Sequence, residues 1–177
     1  MRRIAFLCLA SAALAAPAAA LAATTSTGDG TLVVKNGQAP DSGPDRTPVV
    51  RLNNFTGSVI GQVTGQGRII IDETPNSPQP EVTGAGTGQG GLPSDTARLW
   101  KGGTDGFKFR AVGGTYTIVI FAGQGSRVNL VAIGQGTVQL AGMPDWGTGD
   151  GRYSLNGDQW RSLPGTPTQQ ITIASNG

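Results

Sequence analysis

Glycine constrains this chain more than any other feature. From Gly28 onward it recurs about once in five residues, 29 times in all. A glycine inside a helix costs roughly 0.5 to 1 kcal/mol relative to alanine, and no 11-residue window keeps a helical period of apolar residues. Between the glycines stand short apolar or alternating runs bounded by Gly, Asn, Asp or Pro, which is the pattern of strands. They fall at residues 31–34, 48–53, 58–63, 68–72, 107–112, 115–121, 127–133, 137–141, 152–155, 159–163 and 170–174, with a less regular run at 97–100. The expected fold is all-β, a single antiparallel β-sandwich, with a closed β-barrel as the alternative and a β-solenoid as the third.

Several links have hairpin length. Gly113-Gly114 separates two runs, Gly134-Gln135-Gly136 separates two more, and Asn156-Gly157 is the strongest two-residue type I′ signal. Links this short pair neighbours antiparallel, so an antiparallel meander is expected over residues 106–141. Residues 49–71 can be laid on 118–140 at a constant offset of 69, matching Val50 with Val119, Val59 with Val128 and one GQG with another. That echo implies two related three-stranded halves, or a convergence of Gly-rich strings. Residues 74–95 carry four prolines and little that is apolar, and read as a long exposed loop.

The N-terminus begins with Arg2 and Arg3, then an apolar run over 4–14, then Ala20-Leu21-Ala22. This is the order of a signal peptide, expected over residues 1–22, with a single all-β domain over 23–177. The expected location is therefore exported: extracellular, wall-associated or periplasmic. No later stretch approaches the roughly 20 apolar residues of a membrane span. The only cysteine, Cys8, lies in the leader, so the domain is expected to rely on its core and ladders rather than on disulfides. The net charge of +2 comes from Arg2 and Arg3, because 11 basic residues then balance 11 acidic ones (13 minus 2). That balance gives no electrostatic footing for nucleic acid as a partner.

The chain contains no histidine. Without histidine or a mature cysteine, Ser-His-Asp and Cys-His nucleophile pairs drop out, as do the imidazole and thiolate ligands of most zinc, copper and haem sites. No cofactor is expected. Carboxylate chemistry survives, and a pair of carboxylates would make a glycosidase-type enzyme the third functional reading. GTGQGG at 86–91 matches the dinucleotide fingerprint in letters only, because no helix follows it. Asp145, Asp150 and Asp158 offer the oxygen ligands a calcium ion would need, against a reading as solvated turn residues.

The segment GDGRYSLNGDQWRSLP, residues 149–164, carries the densest chemistry. With Asn156-Gly157 as the turn, Tyr153 should oppose Trp160 on one face of a hairpin, and Trp146 lies just upstream. Trp146, Tyr153 and Trp160 beside Asp158 and Gln159 are the residue types of a sugar-stacking platform. The same rings serve equally as core closure.

GTLVVKNG at 30–37, G-x-V-x-G-x-V at 57–63 and DGRYSLNGDQWRSLP at 150–164 together resemble Gly-rich secreted β proteins of actinobacterial type with no assigned activity. The resemblance implies export and a β fold, and brings no catalytic residues. The expected function is a non-catalytic envelope or extracellular structural or adhesion module, with a carbohydrate-binding module as the alternative. The expected partners are a cell-wall or extracellular glycan, or another envelope protein.

Overall fold

The computed structural model describes residues 28–40, 47–88, 92–143, 150–168 and 170–174, and every regular element there is a strand. In chain order these are β1 (Gly30–Gly37), β2 (Val50–Thr64), β3 (Gly67–Glu73), β4 (Glu81–Thr83), β5 (Ala85–Gly88), β6 (Ala97–Gly102), β7 (Phe107–Ala122), β8 (Arg127–Leu140), β9 (Arg152–Leu155), β10 (Arg161–Ser162) and β11 (Ile171–Ile173). Residues 1–22 lie outside the described residues. No helix of the described residues is long and apolar enough to cross a membrane.

Three long strands organise the molecule. β2 lies between β7 and β8 and is antiparallel to both, with Val50 opposite Ile120 and Leu140, and Val63 opposite Phe107 and Val128. Yet only residues 123–126 join the end of β7 to the start of β8. Straight strands of this length would place those ends far apart, so all three must fold back on themselves. Gly67 shows it: it pairs with Ala122 at the end of β7, while Phe107, the first residue of β7, stands 3.5 Å from where a Cβ of Gly67 would sit.

The strands therefore form one continuous antiparallel sheet that is open at β10 and β5 and folded into two layers. The first layer runs β5, β6, β3, then residues 116–122 of β7, 50–53 of β2 and 137–140 of β8, and ends at β11. The second runs β4, then 107–112 of β7, 58–64 of β2 and 127–134 of β8, followed by β1, β9 and β10. All ten ladders among the described residues are antiparallel, which is the sandwich expected and neither a closed barrel nor a solenoid.

The bend is set by glycine and asparagine. Gly57 and Gly134 face each other at the fold, each with positive φ, and a Cβ on either would strike the partner strand's backbone at Ile133 or Thr56. One-residue bulges sit beside it, at Asn54 on β2 (φ 45°) and at Gly113 on β7 (φ 74°). A bulge reverses which alternate residues face the core. Accordingly the buried set of β2 passes from Val50 and Leu52 to Phe55, Val59 and Val63, and that of β7 from Phe107, Phe109 and Ala111 to Tyr116, Ile118 and Ile120. These residues belong to one continuous buried cluster.

This arrangement corrects three expectations. The runs on either side of Gly113-Gly114 and of Gly134-Gln135-Gly136 are single strands, so there are no hairpins there and no meander over 106–141. Glycine lets a strand turn a corner while its ladder continues. The offset-69 echo also fails, since GQG at 65–67 turns β2 into β3 while GQG at 134–136 lies inside β8. Finally, the segment 74–95 contains β4 and β5, joined at Gly84 (φ 85°), which pass from the edge of the second layer to the edge of the first. Its start is fastened by Tyr116, whose hydroxyl donates to the carbonyl of Pro78 (2.8 Å), with that of Val112 at 3.2 Å. Burial pushes the Tyr116 phenol above its usual pKa, and the charge of Glu73 adds to that shift.

Candidate binding face

The second layer alternates, so every other residue points away from the core. Along one row across the ladders, Glu81 of β4 stands opposite Arg110 of β7, Arg110 opposite Ile60 of β2, Ile60 opposite Val131 of β8, and Val131 opposite Val33 of β1. The next row on the same face runs Thr83, Lys108, Gln62, Asn129, with Lys35 following on β1. An aliphatic row thus lies beside a polar, cationic one.

The segment before β10 borders this face through Trp160. The face holds a cleft of about 660 Å³ lined by both rows, with Trp160 among the lining residues. Val131 is 41% exposed and Trp160 47%, high for side chains of their size and polarity. A second cavity shares Gln62, Thr83 and Lys108 with the first and extends past Gly84 to Asp105.

The hairpin that carries Trp160 forms at the expected turn with an unexpected register. Asn156 and Gly157 have φ of 51° and 78°, and the Asp158 amide donates to the Leu155 carbonyl at 2.8 Å, as a two-residue turn of this type requires. The Asn156 side chain ties the turn down, accepting from the Thr31 amide (2.8 Å) and donating to the Ala174 carbonyl (2.9 Å). Beyond the turn the Ser154 hydroxyl donates to the Asp158 carbonyl (2.7 Å), and pairing resumes one residue late, with Arg161 opposite Tyr153.

The expected Tyr153–Trp160 pair is therefore absent, because the extra residue rotates the two rings apart. Tyr153 is 8% exposed and belongs to the core, while Trp160 faces solvent at the cleft. Asp158 and Gln159 are exposed in the segment leading to Trp160. Trp146 and Asp145 lie outside the described residues. Asp150 is engaged on this flank, accepting from Asn36 Nδ2 (2.7 Å) and paired with Arg127 (3.1 Å). Among the described residues no group of three or more His, Cys, Asp or Glu is placed to hold a metal ion.

The residues that make the cleft, Ile60, Val131, Val33, Lys108 and Arg110, were not singled out by sequence reasoning. The run RVNLVAI contained a signal: Val128, Leu130 and Ala132 share one face, and Val131 and Ile133 make the other face apolar too. Comparison with protein families, curated proteins and solved structures found no match to this chain.

Proposed function

We propose that the chain is an exported, non-catalytic binding module of the cell envelope or extracellular space, holding its ligand on the outer face of the second layer. One observation carries this reading: four adjacent strands, β7, β2, β8 and β1, direct aliphatic and cationic side chains into one cleft on the solvent side. Clefts of a few hundred Å³ with an apolar floor and few polar groups are the usual form of a ligand site. Within the main cleft Glu81 is the one carboxylate, and it stands opposite Arg110. Hydrolysis of a glycosidic bond uses two, which supports binding over catalysis.

A carbohydrate-binding reading has its own support in Trp160, a half-exposed ring with Asp158 and Gln159 as polar neighbours. With Tyr153 in the core, such a platform rests on one ring among the described residues rather than three.

The test is retention of the domain, residues 23–177, on isolated envelope material and soluble polysaccharides. The double substitution Ile60→Thr with Val131→Asp should abolish retention and leave the thermal melt nearly unchanged. Equal retention by the variant would remove this face from the function.

A further inference from the structure

We infer that the cleft takes a free single-chain amphiphile with an anionic head group, its alkyl chain laid across β2, β8 and β1 and its head held at β7. This deepens the binding reading above and rests on it. The aliphatic row supplies no donor or acceptor between Arg110 and Ser154, since Ile60, Val131 and Val33 fill it. A sugar chain lying there could pair its hydroxyls only on the side of Gln62 and Asn129, and those turned to the aliphatic row would go unpaired at a cost of about 1 to 3 kcal/mol for each buried one. An alkyl chain leaves none.

Length and charge agree with this occupant. From β7 to β1 the row crosses three strand spacings, about 14 Å, and Trp160 stands among the residues lining the cleft with it. At the β7 end Lys108 and Arg110 project side by side, and neither is in an ion pair among the described residues. Glu81 faces Arg110 across the ladder without closing a salt bridge. Two cations against one carboxylate favour a carboxylate or phosphate head. Lys35 can run its methylenes along the chain and keep its ammonium in water.

The experiment is calorimetric titration of residues 23–177 with dodecyl phosphate below its micelle concentration, alongside dodecyl maltoside and hexyl phosphate. Tryptophan emission is followed in parallel. Dodecyl phosphate should bind one to one and shift the emission, while the neutral and short-chain probes should bind at least tenfold more weakly. Lys108→Gln with Arg110→Gln should bring dodecyl phosphate down to the level of dodecyl maltoside. Val131→Asp should weaken it by tenfold or more, and Val131→Asn serves if the aspartate alters the melt. Equal binding of the neutral probe would overturn the assignment of the head group, and equal binding of the short probe that of the chain. Loss of envelope retention in Val131→Asp without any dodecyl phosphate binding would overturn the amphiphile and leave the binding module standing.

Discussion

The outer faces of the two layers follow the same alternation and end differently. On the first layer a row runs Leu99, Ile70, Val119, Arg51, so apolar side chains point outward there as well. There Leu99 and Val119 are nonetheless buried. Val119 is 7% exposed, and on the same outward face the Arg68 guanidinium lies 4.1 Å from the ring centre of Phe121. On the second layer the equivalent position, Val131, is left 41% exposed, and the cations on β7 reach into the cleft instead of across their neighbours. An outward aliphatic residue is thus no mark of a site. What marks one is that the neighbouring long polar side chains do not fold over it.

Substitutions can break or sharpen that contrast. The largest effect should come from Tyr153→Ala, which empties a core position and should cost about 3 kcal/mol or more in urea unfolding. Next, Val119→Asp should cost about 3 kcal/mol by placing a carboxylate under its covering residues. Val131→Asp, the same change on the other face, should stay within about 0.5 kcal/mol of the parent. Similar losses for the two would erase the distinction between covered and open faces.

Tyr116→Phe should cost about 1 to 2 kcal/mol, because the Pro78 carbonyl loses its donor. It should also change the alkaline limb. A phenol whose folded pKa is raised favours the folded state fully below its unfolded value near 10, and that contribution is lost as pH rises through the folded value, because the unfolded chain sheds the proton first. Melts from pH 8 to 11 should therefore show a fall for the parent that the phenylalanine variant lacks. Arg68→Ala should cost about 0.5 to 1 kcal/mol with the loss of its contact with Phe121, and that variant should expose the first layer's face to apolar dyes. Trp160→Ala should be smallest in the melt, within about 0.5 kcal/mol, while removing the emission change on ligand addition. A core-sized loss there would return Trp160 to the role of packing residue.

Strands were legible wherever apolar residues met a clear break, as at Thr31–Val34 and Arg68–Asp72. What the letters hide is what a glycine does. Gly113 and Gly134 have the local character of turns, yet each sits in a ladder whose partners continue on both sides, and only the long-range pairing of β2 with β7 and β8 distinguishes a corner from a hairpin. The Asn156-Gly157 turn was legible because its chemistry is local. The register after it was not, since it depends on the Ser154 hydroxyl reaching the Asp158 carbonyl. The cleft was hidden for a related reason: its aliphatic row draws single residues from three strands, β1, β2 and β8, that are distant in sequence.

The bent strands carry one further consequence, for the order in which the chain acquires structure. β1 finds its ladder partners on β8 and β9, and its Thr31 amide is held by Asn156, 125 positions away. Chains emerge N-terminus first, and pairings this distant are slow to close. The first strand of the described residues is among the last to gain neighbours, so the second layer cannot close before β8 and β9 are made. A chain stopped before β8 would leave β1 without a partner and β2 paired along one edge only, so assembly of this molecule waits for its C-terminal strands.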